Sequence, residues 1–238
     1  MTSNLATKLR EGTKKSHSMA ENTGFIACFL KGTVEKKSYR KLVTNLYFVY
    51  SAMEEEMHKH ANDPILSKVF FPELDRKAAL EQDLAFYYGT NWKEQIAPSE
   101  ATKKYIARIH EVANQDPALM VAHLYTRYLG DLSGGQILKK IAQNAMNLTD
   151  GEGTAFYEFE QIPDEKVFKN KYRQAMNDLP IDEAKGDEVV DEANAAFGMN
   201  MVMCNELEGN LIKAIGIQLF NLLTRKRNRN ETELATAE

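Results

Sequence analysis

The sequence predicts an all-α protein, a single-domain helical bundle, on three observations. Apolar residues recur every three to four positions through long stretches rich in Ala, Leu, Lys, Glu, Gln and Met. Pro64, Pro72, Pro98, Pro117, Pro163 and Pro180 punctuate those stretches. Alternating Val/Ile/Thr runs and Asn-Gly or Asp-Gly hairpin turns are nearly absent, which argues against a sheet.

Taken in order, the first helix is expected over 3–30, its apolar stripe starting at Leu5 and Leu9 and continuing through the small residues Gly12, Ser16 and Ala20. The second, over 35–62, shows the period in Leu42, Leu46, Val49, Met53 and Met57. Helices over 74–88 and 99–115 follow, the latter repeating the spacing in Ile106, Ile109, Val112 and Ala113. A long helix spans 118–148, and Gly151-Glu152-Gly153 opens the one conspicuous loop. Helices over 164–178 and 183–223 complete a domain of 1–223. From Thr224 the chain turns basic and then polar; the basic run complements the negative end of the last helix dipole, and 224–238 is expected to be a disordered tail.

Composition narrows the function. The 238 residues are 43% hydrophobic and 27% charged, an ordinary globular balance. A net charge of −4 does not suggest a nucleic-acid partner. Cys28 and Cys204 are far apart and form no CxxC, so neither a disulfide framework nor a cysteine metal knot is indicated. No apolar run suits a signal peptide or a membrane span, and the expectation is a soluble cytoplasmic protein with no membrane association.

The most informative stretch is Tyr-Thr-Arg-Tyr-Leu-Gly-Asp-Leu-Ser-Gly-Gly-Gln at 125–136, which sets Gly130, Gly134 and Gly135 inside the long helix. Three helical glycines give up on the order of 3 kcal/mol against Ala, which another interaction must offset. Gly130 and Gly134 share a face at i, i+4, and Asp131 and Gly135 pair beside them, making a patch nearly bare of side chains with one carboxylate. A flat ligand would fit there. Gly at i, i+4 alone favours a close helix–helix crossing; the third Gly and the acid shift the balance toward a ligand.

On the first helix Arg10, Lys14, His17 and Glu21 stand at spacings of four, three and four, so one stripe carries all four. A histidine beside an apolar stripe is more often a packed residue than a ligand. Here Glu21 can take the proton of the ring nitrogen that does not face a metal. Arg10 and Lys14 lie about 10 Å and 5 Å along the axis from His17, within reach of acidic groups on a ligand centred there. Lys169 and Arg173 form a second basic pair at i, i+4. Two basic pairs and a glycine patch suit a planar, mostly apolar ligand bearing carboxylates, although such pairs are commonly solvated helix faces. Glu55-Glu56-Met57-His58 holds Glu-x-x-His, half of a di-iron signature without its second half; Glu54, Glu55 and Glu56 are therefore expected on a solvated face.

With these residues in view, the chain resembles a haem oxygenase. Tyr125 to Gln136 is similar to the family's distal-helix signature, and Thr13 to Phe25, with His17 and Ala20-Glu21-Asn22, to the segment around its proximal histidine. Phe71-Pro72-Glu73-Leu74, Arg76 to Phe86 and Phe168 to Met176 also resemble family segments, so the likeness runs from about Leu5 to Leu223. It implies haem b, substrate and cofactor together, sandwiched between a proximal N-terminal helix and the Gly-rich distal helix. His17 would be the iron ligand and Glu21 its hydrogen-bond partner. Gly130, Gly134 and Gly135 would let the distal helix lie over the haem, and Asp131 would organise distal water. Lys14, Lys169 and Arg173 match propionate-holding positions, with Arg10 where relatives carry Lys. Tyr125, Arg127 and Tyr50 match the distal network.

The implied reaction converts haem to biliverdin IXα, carbon monoxide and ferrous iron, using O2 and electrons from a separate donor. The likeness is to the soluble cyanobacterial and plastid members, which implies ferredoxin as donor, bilin pigment synthesis with a downstream bilin reductase, and a place in the cytoplasm or plastid stroma. The alternative is a haem carrier or sensor, which has little need of Asp131.

Overall fold

The computed structural model describes residues 4–149 and 151–207, and among them it contains helices and no strand. Ten α-helices run in order: α1 (Leu5–Gly12), α2 (Lys14–Glu21), α3 (Gly24–Leu30), α4 (Lys36–Lys59), α5 (Lys77–Tyr88), α6 (Glu100–Gln115), α7 (Met120–Leu124), α8 (Gly130–Met146), α9 (Glu165–Asn177) and α10 (Glu183–Asn205). A π-helical segment, Tyr125–Leu129, joins α7 to α8. The single-domain bundle follows the sequence reading; the expected tail at 224–238 and the end of the last helix lie outside the described residues.

α4 is the central helix. Leu42, Val43, Leu46, Val49, Tyr50, Met53 and Met57 are buried along it, against α5 and α6. α10 crosses the other side and touches α1, α2, α6 and α7. Side chains close several helix starts: Ser99 accepts from Thr102 N at 3.2 Å, Asp164 from Val167 N at 2.9 Å and Asp182 from Lys185 N at 2.8 Å.

Three departures from the sequence reading have identifiable causes. The helix expected over 3–30 is three helices. Thr13 turns its hydroxyl back to Leu9 O at 2.7 Å, and at the second break Asn22 Nδ2 donates to Ser18 O at 2.7 Å and Thr23 Oγ1 to Ala20 O at 2.8 Å. Such local bonds compete with helix continuation. Arg10 therefore lies on α1 while Lys14, His17 and Glu21 lie on α2, and the four-residue stripe is divided. The expected helix 118–148 contains the π segment immediately before Gly130. Glu54 and Glu56, expected on a solvated face, are buried. Glu54 Oε1 accepts from Arg76 N at 2.6 Å and Lys77 N at 3.0 Å, satisfying the open amides at the start of α5. Glu56 Oε1 meets His110 Nδ1 at 2.6 Å and Lys59 Nζ at 3.0 Å.

Candidate functional site

The glycine patch begins where the π segment ends. Its five residues change which side chains face inward before α8 starts, and Arg127 is carried toward α4 and α10. Arg127 Nε donates to the Tyr50 hydroxyl at 3.0 Å, the Tyr50 hydroxyl donates to Asp131 Oδ2, and Arg127 Nη1 donates to Asn200 Oδ1 at 2.8 Å. The guanidinium also sits 5.1 Å from the centroid of the Tyr50 ring. Four residues from three distant parts of the chain thus form one chain of hydrogen bonds, with Asp131 at its end.

The electrostatics of that chain are set by burial. Desolvation pushes the Asp131 carboxyl above the usual carboxylate range, while Arg127 and the Tyr50 hydroxyl pull the other way. Burial also drives the Tyr50 phenol well above its ordinary value, Arg127 opposing and Asp131 reinforcing. Desolvation works against the charge of Arg127, yet the surrounding Tyr50, Asp131 and Tyr105 oxygens hold it firmly protonated. A half-buried carboxyl of raised pKa on a fixed cationic anchor can take up and release a proton without moving.

The glycines differ among themselves. A Cβ built on Gly130 or Gly134 would meet nothing within 4 Å, so that face of α8 is open. A Cβ on Gly135 would stand 3.4 Å from the Tyr157 ring, an ordinary contact, so Gly135 faces that ring and not the open side. The sequence patch thus divides into two glycines on an open face and one against Tyr157.

His17 stands on α2, which buries none of its eight residues. Its side chain is 58% exposed, and Nδ1 lies 3.7 Å from Glu21 Oε1, leaving Nε2 free of that partner. The imidazole meets the Phe197 ring edge-on at 5.8 Å. Phe197 and Asn200 are one helical turn apart on α10, so one face of that helix touches His17 and Arg127 both. Met19 on α2 and Ile137 on α8 are exposed at 51% and 63%. Two helices with uncovered apolar side chains, one bearing an outward imidazole and the other a bare backbone face, suit a flat ligand between them. The residues present therefore fit a haem.

The basic residues are distributed less simply. Lys169 Nζ donates to Leu132 O at 3.1 Å, which ties α9 to α8. Arg173 is exposed and donates to Asn170 Oδ1 at 3.3 Å, and Lys14 is exposed. Arg10 is engaged by its neighbour Glu11, with Nη2 to Oε1 at 2.8 Å, so its charge is partly answered on α1. Tyr125 lies in the π segment, partly buried, and among the described residues no hydrogen bond joins it to Arg127, Tyr50 or Asp131. Asn200 was absent from the sequence reading. Its signal is a lone amide in the otherwise apolar run Phe197-Gly-Met-Asn-Met-Val-Met-Cys.

Comparison with known proteins bears on this geometry. The family model described as Heme oxygenase matches residues 3–206. The chain is 69% identical to Heme oxygenase 1 of Nostoc sp. over 238 residues, 100% of both chains. It is 70% identical to Heme oxygenase 1 of Synechocystis sp. over 240 residues, again 100% of each. The crystal structure of heme oxygenase-1 from Synechocystis sp. in complex with heme matches with a TM-score of 0.89 at 71% identity, covering 92% of this chain and 99% of that one. That of heme oxygenase-2 from Synechocystis sp. in complex with heme and NO also gives 0.89, at 48% identity over 94% of this chain and 93% of that one. An outward histidine, an open glycine face and a half-buried carboxyl on an arginine anchor thus occur in a fold shared over nearly the whole length with such enzymes, and the chain belongs to the haem oxygenase family.

Proposed function

We propose that the chain cleaves haem to biliverdin IXα with release of carbon monoxide and ferrous iron, using O2 and electrons from a separate protein donor, ferredoxin. The observation that carries this reading is the half-buried Asp131, held through Tyr50 by Arg127 directly beside the open backbone of Gly130 and Gly134. A haem carrier needs the imidazole and the open face but no proton-handling carboxyl.

In this reading His17 Nε2 holds the iron, and Glu21 takes the Nδ1 proton and tunes the basicity of the ring. Haem, when bound, supplies the iron at which O2 is activated. Gly130 and Gly134 let α8 lie against the macrocycle and exclude water and oxidant from the covered edges, so that one meso position is left open. Asp131 orders water on that face and passes it a proton, and the fixed charge of Arg127 keeps the carboxyl oriented through Tyr50. Lys14, Lys169, Arg173 and Arg10 hold the propionates. The Lys169 ammonium spends one of its three donors on Leu132 O and keeps two for a carboxylate.

Among the described residues no helix is long and apolar enough to cross a membrane. Bilin synthesis is the proposed setting, in the cytoplasm or a plastid stroma, with a bilin reductase taking the product. Incubation of purified protein with haem, a reductant and O2 tests the reading. Loss of the haem absorption with growth of a biliverdin band is expected. A stable haem spectrum would leave a carrier or sensor, and no spectral change on mixing would overturn haem binding itself.

A further inference from the structure

The stretch Arg76 to Phe86 supplies no residue to the site just described, yet two of its charged residues are buried and both end on the same loop. Asp83 on α5 is 1% exposed. Its Oδ1 accepts from Ala155 N at 2.8 Å and its Oδ2 from Phe156 N at 2.9 Å, so each carboxylate oxygen fixes one amide of the Ala155–Tyr157 turn. Arg76, the residue just before α5 and seven before Asp83, donates through Nη1 to the carbonyls of Phe156, at 3.4 Å, and Glu158, and its guanidinium lies 3.8 Å from the centroid of the Phe159 ring. The loop enters this grip at Gly153, whose φ of +66° and whose Cβ position, 2.5 Å from the Tyr87 hydroxyl, exclude a side chain.

What the loop carries decides its meaning. Tyr157 packs on the bare backbone of Gly135, and its carbonyl accepts from Gln136 Nε2 at 3.1 Å. The Phe156 ring stands edge-on to the Tyr50 ring at 5.3 Å, behind the hydroxyl that holds Asp131. The two rings therefore back the distal helix and its hydrogen-bond chain from the side away from the open face. Burying a carboxylate costs free energy, and burial pushes the Asp83 carboxyl up to about 6 despite the two amides. A neutral apolar residue could pack there at less cost, but it could not fix two successive amides.

We propose that Asp83 is a positioning residue for the haem reaction: by clamping the Ala155–Tyr157 turn it sets how closely α8 approaches the haem and how Tyr50 presents Asp131. This rests on the reading of Gly130 and Gly134 as the haem face. Asp83→Asn, which turns one acceptor into a donor facing an N–H, frees the turn, and Tyr157→Leu removes the ring that bears on Gly135.

The C–O stretching band of the ferrous haem–CO complex reads distal geometry and polarity without turnover. Both variants are expected to shift or split this band, and the double variant is expected to show no more than the larger single effect, because both act through one turn. In the haem-free protein, amide hydrogen exchange along α8 should quicken in each. An unchanged band in both variants, even with a lowered melting temperature, would reduce Asp83 to a structural residue and overturn the proposal, as would additive shifts in the double variant. Should Asp83→Asn fail to fold, Tyr157→Leu decides alone: an unmoved band refutes the clamp. A wild-type protein that gives no haem–CO spectrum would instead refute the functional reading beneath it.

Discussion

Gly130→Ala separates stability from function more sharply than any other change, because the two are expected to move in opposite directions. The Cβ of the new residue meets nothing within 4 Å of protein, and Gly130 is helical without a positive φ, so the substitution introduces no strain. Replacing a helical Gly by Ala gains about 1 kcal/mol, which for a domain of this size raises the melting temperature by roughly 2–4 °C. In haem-loaded protein the same methyl stands between backbone and macrocycle. Overpacking a close contact costs about 1–3 kcal/mol, equivalent to haem binding or turnover weakened roughly five- to a hundredfold. Calorimetry of the haem-free protein and a haem titration measure the two halves separately. Gly134→Ala should behave alike, whereas Gly12→Ala, whose Cβ would stand 2.5 Å from Val190 Cγ1, should lower the melting temperature. A stabilised Gly130→Ala protein with wild-type haem affinity and turnover would refute the haem-facing assignment and leave both glycines as helix-packing residues.

Four further outcomes follow from the site and its surroundings. His17→Ala should weaken haem binding and change the ferric spectrum, with free imidazole restoring it in part; an unchanged spectrum would remove His17 as the ligand. Asp131→Ala should bind haem almost normally and make no biliverdin, the oxidant being diverted into a weak peroxidase activity, while Asp131→Asn falls between; a wild-type rate of biliverdin formation in the Ala variant would end the proton-handling role. Removal of both Lys169 and Arg173 should give a mixture of biliverdin isomers on chromatography, and a single isomer would show that they attract the haem without orienting it. Glu54 has its pKa raised from an ordinary 4.5 to about 7, chiefly by burial, so the folded state holds a proton that the unfolded state has released across that range. Stability should therefore fall as pH rises from about 4.5 to 7, by up to roughly 3 kcal/mol. Glu54→Gln should flatten that part of the profile, and an unaltered slope in denaturant titrations would show that Glu54 is not its source.

The helices were legible because their apolar period is long and repeated; residues such as Leu42, Leu46, Val49 and Met53 admit no other arrangement than one buried face. The breaks at Thr13 and at Asn22-Thr23 were not. Thr and Asn are only mildly unfavourable inside a helix, and what ends the helix is a back-bond whose formation depends on the path of the whole chain. The glycine patch declared itself through its local cost, but nothing in the sequence tells an open-face glycine from Gly135, whose partner Tyr157 lies on a loop beyond the helix. Burial of Glu54 and Glu56 was hidden for a related reason, since three consecutive acids resemble a solvated run until the amides of α5 and the imidazole of His110 are brought to them. The Arg127 chain joins residues 73 to 81 positions apart. Periodicity cannot span that separation, so family resemblance alone reached Tyr50, and neither reached Asn200.

The π segment at Tyr125–Leu129 also fixes a count of residues. Each residue of an α-helix advances the azimuth by about 100°, and a π turn takes in one more residue than an α turn. Everything downstream is thereby rotated relative to everything upstream. His123, sealed in the core beside Glu192, and Gly130, bare on the open face, keep their relative orientations, at this residue count, only while the segment stays π-helical. Closing the segment to a regular α-helix of unchanged residue count would turn everything after it by about 100° relative to everything before it. It would swing Gly130 and Gly134 off the open face together and put Leu129 and Ser133 in their place. A chain with one residue fewer between His123 and Gly130 and a regular α-helix there would therefore present the same faces, whereas one that lost the π turn without losing a residue would keep the bundle and lose the open glycine face.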